Sequence, residues 1–543
     1  METNKNFRVC ILLETRTIPR AAFDLINWLK HHDDFKVNYI LIPSKSRNLE
    51  IEPSFFQKII NSLNNFGWRM IQYFETFHYR KFHCDDLMHS INISHKELIL
   101  DLREYFSSEI ELSASNLSIL KESRIDLILA FNLNEYANLL KKFSRLGLIA
   151  FDHYDQKNKS YRPIGFEEVV SKKSKTGFSI IRLAKDLDSL EILFQGAFPT
   201  HNYFLANHLN ILRRRNFYLK KYILFTVNKN FSNNQTKFSD IETIVNLDLI
   251  PTLKEQISYI FSLLRNRFTS IKNKLLSKGK YWKVGFVYSD WENFYKSEVR
   301  EIENLDNCYL ADPFVMRFNG KNYCLAEEYS YDTTKGSIVA YELEDKKSTR
   351  IGRVIEESFH MSFPYLFEFK DKIFMVPETS QNNDIRIYES LEFPNRWKLN
   401  QVVMADIFAV DSMIFKQKNK WWLFTNINPD GSSDACSELY IFSSDDPLSK
   451  NWKPHLLNPV IVNSDLARNG GILFKNNKIF RVSQKQSFGR YGAEFSINEI
   501  IKLTNNEFIE KRVQHIKPDF ISNGIATHHC HSNSIVTVFD YLT

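Results

Sequence analysis

No CxxC pair stands among the six cysteines of this 543-residue chain; Cys10, Cys84, Cys308, Cys324, Cys436 and Cys530 are scattered. That excludes the short-spaced redox and zinc motifs and fits a reduced, intracellular setting. No window of about 18 apolar residues exists, so no helix is expected to span a bilayer. The opening stretch, METNKNFRVCILLE, has too short an apolar run for a signal peptide. Its apolar run also lacks a following GxGxxG, which argues against a dinucleotide site. The net charge of +7 is too small for this length to argue for nucleic acid, and it is compatible with sugar nucleotides or a phospholipid surface. The expected location is cytoplasmic, at most peripheral at the inner membrane face.

What is present is a globular composition, 43% apolar and 25% charged, in a chain long enough for two or three domains. The second half is a repeat. LADPFVMRFNGKNYCLAEEY (310–329) has four later copies, aligned on Lys321, Lys372, Lys420, Lys478 and Ser534, at spacings of 51, 48, 58 and 56 residues. Each copy is two apolar runs around a turn: Asn319-Gly320, Lys370-Asp371, Lys418-Asn419 and Asn476-Asn477. Gly, Asn and Asp tolerate positive φ, so these are hairpin turns. A period near 50 residues with one hairpin per repeat predicts a β-propeller, and five copies predict five blades.

Nine residues before each alignment point stand Asp312, Phe363, Asp411, Asn469 and Ile525; six after it stand Glu327, Glu378, Asn426, Gln484 and Asp540. An antiparallel hairpin sets the start of one strand beside the end of the other. Asp312 is therefore expected beside Glu327, Phe363 beside Glu378, and Asp411 beside Asn426. If the hairpins are the inner strands, one rim collects Asp312, Glu327, Glu328, Glu378, Asp411 and Asp540. Carboxylates in a concave mouth suit acid–base work or sugar hydroxyls. Polar strand ends that are simply wet are the plainer account. Arg468, at the same offset in the fourth repeat, suits a carboxylate or phosphate, or a partner for the rim acids. HHCH (528–531) resembles a metal motif, but strand alternation splits its side chains between two faces, so no metal is expected there.

The first half opens strand, helix, strand over 7–43, the pattern of an α/β domain with a parallel sheet. Helical patterns follow at 53–78 and 96–106, and further strands at 124–131 and 146–154. Residues 228–240 are polar and read as a linker. From Pro251 onward a basic, amphipathic helix leads to the propeller, and with Arg213-Arg214-Arg215 and Lys220-Lys221 it could form a basic face; a solvated helix face is the plainer account and a membrane-surface contact the sharper one.

Residues 146–196 resemble the formyltransferase-like fold that uses 10-formyltetrahydrofolate, through GLIAFD (147–152), YRP (161–163), TGFSI (176–180) and LDSLEIL (187–193), and the likeness covers roughly the first 200 residues. The resemblance implies an oxyanion-holding Asn and a catalytic His where this chain has Ala150 and Asp152. Only Asp188 matches the third catalytic position. An oxyanion donor is worth about 2.7–4 kcal/mol of barrier, and alanine offers none, so formyl transfer is not expected. Asp186 and Asp188 also form a DxD, which in many glycosyltransferases holds a metal-bound sugar diphosphate; solvated loop acids are the plainer account.

The five repeats, with Ala-Asp-Pro at 311–313, resemble family 43 glycoside hydrolases. That resemblance implies Asp312 as general base. The second-blade position, HMSFPY (360–365), has no Asp, and Asp411 stands where the family has its Glu acid. Residues 282–543 more closely resemble the propeller-like N-terminal domain of glucosamine inositolphosphorylceramide transferases and their bacterial relatives. The matching stretches are FHMSFPYLFEFKDKIFMVPET (359–379), DSMIFKQKNKWWLF (411–424), ARNGGILFKNNKIFRVSQ (467–484), YGAEFSINEI (491–500) and GIATHH (524–529). The resemblance implies work on surface glycans or glycolipids.

The expectation is thus an α/β, formyltransferase-like (Rossmann-type) domain over 1–227, a linker and basic helix over 228–280, and an all-β five-bladed propeller over 281–543. The expected function is a transferase of glycan or glycolipid assembly, with a sugar or sugar nucleotide at the rim. Asp312 would be the base, Asp411 and Glu378 its acidic partners, and Glu327, Glu328, His360, Arg468 and His528 substrate contacts. A drifted glycoside hydrolase and a non-catalytic carbohydrate-binding protein remain as alternatives. No cofactor is assigned; a divalent metal arriving with a sugar nucleotide is left open, as is a weak peripheral membrane contact.

Overall fold

The computed structural model describes residues 7–42, 55–78, 89–102, 112–131, 135–153, 162–185, 190–227, 237–238, 250–276, 281–429 and 434–543. Asp188, Asp186, Tyr161 and most of the polar stretch 228–240 lie outside the described residues. The chain divides into two compact units, Met1–Thr269 and Ser270–Thr543.

The first unit is built on one eight-stranded sheet. Its order is Lys237–Phe238, Leu190–Pro199, Lys175–Leu183, Leu148–His153, Leu127–Ala130, Phe7–Leu13, Phe35–Leu41, Leu98–Asp101. The strands from Leu148–His153 to Leu98–Asp101 pair in parallel, and the remaining three add antiparallel. The sheet is mixed, where the strand–helix–strand opening predicted a parallel one. The inner strand Leu127–Ala130 is apolar and buried throughout, as strands inside a parallel sheet are. Helix Arg20–Lys30 buries Ala22, Leu25, Ile26 and Leu29, the residues whose helical spacing predicts it.

Two local expectations fail here. The stretch 96–106 carries the strand Leu98–Asp101, paired with Tyr39, Ile40 and Leu41. Its apolar residues are contiguous, and an open sheet edge overrides a weak helical periodicity. The arginine cluster does not form a basic face either. Arg214 is buried with its guanidinium over the Phe198 ring, and Arg215 stacks over Phe151. The helix Leu253–Leu276, expected in the linker region, packs into this unit over its part up to Thr269. Tyr259 is fully buried and donates from its hydroxyl to Glu75, while accepting from the Phe204 amide.

The second unit is a five-bladed all-β propeller. Blade one is Cys308–Phe318, Lys321–Ser330, Lys335–Leu343 and Ser348–Ile355; blade two is Ser362–Phe369, Lys372–Glu378, Asp384–Glu392 and Arg396–Ala405. Blade three is Ala409–Gln417, Lys420–Ile427, Glu438–Ser444 and Lys453–Pro454, with Ile461–Val462 added; blade four is Asn469–Lys475, Lys478–Ser487, Arg490–Leu503 and Phe508–Ile516. The first strands of adjacent blades touch one another around the axis, and their burial contrasts with the wet outermost strands. Blade five is closed by both ends of the unit: Thr537–Leu542 lies between Cys530–Ser532 and the early strand Trp282–Val287, with Arg300–Ile302 outside. Closure in this way leaves the ring no open edge between first and last blade. The hairpin turns have the expected backbone, with positive φ at Asn319, Gly320, Lys370, Asp371, Lys418, Asn476 and Asn477. Apolar side chains between blades one, two and three form one continuous core around Phe314, Phe363, Met413 and Leu423.

Candidate functional site

The rim is shaped by one device repeated in the inner hairpins. In blades one, two and three the residue nine before the alignment point takes a left-handed backbone: Asp312 at φ 50°, Phe363 at 47° and Asp411 at 49°. Each sits in a bulge, where the register jumps from Ala311 to Phe314, from Ser362 to Tyr365 and from Val410 to Met413. A bulge re-aims one side chain and is frequent beside active sites. It also moves the neighbours by one residue. Ala311, not Asp312, pairs with Glu327; Ser362 pairs with Glu378; Val410 pairs with Asn426. In blade four the jump runs from Asn469 to Ile472. There Gly470 and Gly471 let the strand pass blade five, since a Cβ would lie 2.6 Å from the His528 carbonyl oxygen at the first and 2.4 Å from that of Cys530 at the second. In blade five Ile525 does not hold the equivalent place. His528 and His529 do, because the inner strand begins at Cys530.

Asp312 is buried, and its Oδ1 lies 3.2 Å from His528 Nε2 and 3.9 Å from His529 Nδ1. Behind it, Asp540 is fully buried and accepts from the backbone amides of Asp312, His528 and His529. Burial disfavours charge on His528, but Asp540 and Asp312 outweigh it and carry the imidazole up to about 10. His528 is thus an imidazolium held between two carboxylates. His529 is the reverse case: burial holds it down near 3, neutral, edge-on to Phe314 and Phe363.

Glu327 is the group most out of equilibrium with its surroundings. It is buried, its Oε1 has no hydrogen-bond partner, and burial together with Asp312 and Glu378 pushes its carboxyl well above the usual range. His360 stands 3.6 Å away, too far for a direct bond. The Gly336 amide donates to His360 Nδ1, which leaves the ring proton on Nε2, aimed at Glu327. Burial lowers His360, so the ring is neutral. Gly336 has no room for a side chain: a Cβ would lie 2.5 Å from the Met361 carbonyl oxygen and 2.8 Å from Glu327 Oε1.

Asp411 is held by a guanidinium fork, with Arg468 Nε at 2.6 Å and Nη2 at 3.4 Å, and by Gln484 Nε2 at 3.1 Å. Burial pushes this carboxyl up, to about 8, with Glu378 and Asp312 adding to the effect and Arg468 opposing it. Glu378 lies 3.9 Å from Arg468 Nη2 and accepts from Ser380 Oγ. Arg468 is therefore a partner of the rim acids, as one of the two sequence readings had it.

Glu328 is not part of this cluster. It points to the other face of the sheet, almost fully buried between Arg350 at 3.0 Å and Arg353 at 3.0 Å. Strand alternation sends Glu327 and Glu328 to opposite faces, which overturns the placing of Glu328 on the rim. In the first unit Ala150 and Asp152 are both buried on one strand, paired with Ile181 and Ser179.

Aromatic rings that sequence reasoning did not single out surround the cluster. Trp282 and Tyr491 meet His528 edge-on, and Arg468 lies over the Tyr491 ring. Tyr309 is stacked on Tyr329, which reaches His360, and Tyr331 joins Tyr309, Tyr329 and Tyr281. Rings beside carboxylates are the elements of a sugar site, stacking on the C–H face while the acids take hydroxyls. The signal available in the sequence was the flanking of the rim acids by Tyr309 and Tyr329. For a divalent cation, Asp312, His528 and Asp540 offer atoms within 4.8 Å of one another. Those atoms are already engaged with each other and with backbone amides, so this set suits a hydrogen-bonded triad better than a cation.

Two plant proteins, both named glucosamine inositolphosphorylceramide transferase 1, are similar to part of this chain. The one from Oryza sativa subsp. japonica is 32% identical over 208 residues, 37% of this chain and 27% of its own length. The one from Arabidopsis thaliana is 31% identical over 235 residues, 41% of this chain and 30% of its own length. The chain thus spans less than a third of the curated relatives it matches. Among solved structures, Zg3597, a family 117 glycoside hydrolase from Zobellia galactanivorans, covers 48% of this chain and 90% of its own, with 12% identity and a TM-score of 0.33. The α-L-arabinofuranosidase PaAbf62A from Podospora anserina covers 43% and 90%, with 10% identity and a TM-score of 0.34. Residues 297–537 match the family described as glucosamine inositolphosphorylceramide transferase 1, N-terminal, and every residue of the cluster from Asp312 to His528 lies inside that match.

Proposed function

We propose that the propeller rim is the active site of a transferase acting on a sugar or sugar nucleotide in the assembly of a glycolipid or surface glycan. One observation carries this reading: Glu327 and Asp312 are neighbouring carboxyls whose surroundings differ. Glu327 is buried beside other carboxyls, which favours its protonated form, while Asp312 faces the His528 imidazolium. Carboxyls with divergent surroundings provide an acid and a base at one pH. Asp312 takes the proton of an acceptor hydroxyl as its oxygen bonds to the anomeric carbon. The bond from that carbon to the leaving group breaks, and the leaving group departs with the electron pair, protonated by Glu327 where it needs a proton. His528 orients Asp312 through one oxygen. Asp411, Arg468 and Gln484 form a rigid positioning group. The fork on Asp411 argues against the family 43-like hydrolase, whose third-blade carboxyl must be free to reach the glycosidic oxygen. The relatives' name supports the glycolipid class. For the first unit, we propose a formyltransferase-like domain without formyl transfer, since Ala150 offers no oxyanion donor.

The test is incubation with a panel of nucleotide sugars and inositol-phospholipid or glycan acceptors, reading acceptor mass and nucleotide release. A mass gain of one sugar is expected, and Asp312→Asn should lower it at least about 100-fold, the low end for losing a general base. Release of reducing sugar without nucleotide would favour the hydrolase. Tight sugar binding without turnover would mark a binding protein.

A further inference from the structure

The helix Phe55–His78 and the part of the helix Leu253–Leu276 that lies in the first unit carry exposed apolar faces. On the first, Ile59, Leu63, Phe66, Met70 and Tyr73 recur every three or four residues, and all are exposed, Phe66 at 66% and Tyr73 at 70%. On the second, Ile257, Ile260, Phe261, Leu264 and Phe268 do the same, Phe261 at 68% and Phe268 at 71%. The helices lie against each other. Asn64 bonds the Leu253 amide and Gln256, Gly67 faces Gln256 where a Cβ would lie 2.3 Å from its Oε1, and Glu75 meets Tyr259. The two stripes therefore flank one seam. An apolar patch of this extent marks an interaction site.

The charges choose the occupant. The two helices hold seven basic residues and two acidic ones. Neither acid faces outward unpaired: Glu75 is buried on Tyr259, and Glu255 is bound by Arg162 at 2.8 Å. Arg69, Lys254, Arg265 and Arg267 are exposed beside the stripes, and Lys172 reaches Asn266 on the same helix. A two-fold interface with a second copy sets a face against itself and would bring these cations together. An anionic bilayer surface instead accepts both the rings and the cations. We propose that this helix pair docks the protein on an anionic membrane, with Phe66, Phe261 and Phe268 entering the acyl boundary. The contact differs from the weak electrostatic one expected from sequence, because apolar insertion supplies most of it.

Flotation of the full chain with phosphatidylcholine vesicles, with and without phosphatidylglycerol, tests this. Binding should be stronger with phosphatidylglycerol and should persist in part at about 0.5 M salt, where charge attraction is screened. The variant Phe66→Ser/Phe261→Ser/Phe268→Ser should bind at least about 100-fold more weakly and keep its melting temperature, since its changes are on the surface. Arg267→Glu should weaken binding about fivefold, and only to the anionic vesicles. Absence of flotation would overturn the proposal, as would a triple variant that floats like the parent. So would stable dimers that the triple variant dissolves, with no vesicle binding.

Discussion

Glu327 and Glu328 are adjacent, both buried, and have opposite surroundings. Glu328 sits between two guanidinium groups that compensate its charge. Glu327 sits among other carboxyls, with an unpartnered oxygen and a neutral histidine. One face of the strand thus gives its acid two cations, and the other surrounds its acid with carboxyls, where burial favours the protonated form. Pairing within a blade calls for the first arrangement. The second has no structural use, which is the physical reason to place function on that face.

The largest effect should come from exchanging each glutamate for glutamine. Glu327→Gln keeps the shape but has no proton to give. Turnover should fall about 10²- to 10⁴-fold, with the melting temperature unchanged or raised, because a strained buried acid is gone. Glu328→Gln should do the converse. It leaves Arg350 and Arg353 without their anion, and their partial exposure limits the loss to about 2–3 kcal/mol, read as a lower melting temperature with turnover per folded molecule retained. If Glu328→Gln abolishes turnover in folded protein while Glu327→Gln does not, the two faces have been assigned the wrong way round.

Gly336→Ala should join both effects. Its methyl group would meet the Met361 carbonyl and Glu327 itself, so it must displace one of them. Overpacking of this kind costs about 1–3 kcal/mol, and the displaced Glu327 should lose turnover as well. Denaturant unfolding and kinetics on the same sample would check that the two losses occur together.

The pH dependence of stability follows from the same contrast. Glu327 and Asp411 bind their protons more tightly folded than unfolded, and so does His528. Their stabilising contributions are complete below the unfolded values, near 4.5 for Glu327, 3.8 for Asp411 and 6.5 for His528. They are lost as pH rises, through about 8 for Asp411 and about 10 for His528. Above about pH 7 propeller stability should therefore fall towards pH 9, whereas below about 6.5 the buried histidines held low, His360, His529 and His531, work in the opposite direction. Glu327→Gln should flatten the lower part of that slope, and urea midpoints across the range would show it. A slope unchanged by Glu327→Gln would mean that Glu327 is ionised throughout.

Much of this fold was legible because it is repeated. The hairpin turns announce themselves through Asn, Gly and Asp, and five copies at similar spacing leave few alternatives to a propeller. The bulges were not legible. They place Asp312, Phe363 and Asp411 at positive φ, and none of these is glycine, so no residue type signals the bend. The hairpin register was consequently read one residue out. Glu328 was assigned to the rim because strand ends were aligned by offset, without following alternation to the opposite face. The fifth blade misled for another reason: its inner strand is short and its third strand comes from the start of the propeller, so the copy aligned on Ile525 put the wrong residue at the axial place, and His529 beside the expected His528 was missed. In the first unit the apolar runs marked the strands, but Leu98–Asp101 read as helix because edge pairing is a tertiary fact.

The smallest effect isolates the ion pair from the fold around it. Arg350 approaches Glu328 with Nη2 at 3.0 Å, and Arg353 with Nε at 3.0 Å, the two side chains being 33% and 41% exposed. Either arginine alone still gives Glu328 a cation. Arg350→Gln or Arg353→Gln should then cost only about 0.5–1 kcal/mol, the range of a partly exposed pair. The double variant strands a buried carboxylate and should cost more than the sum of the two. Chemical denaturation of the four proteins closes that cycle, and turnover should be the same in all of them. An additive double variant would mean that solvent, not the second arginine, compensates Glu328, and the contrast between the two faces of the strand would then be weaker than the distances imply.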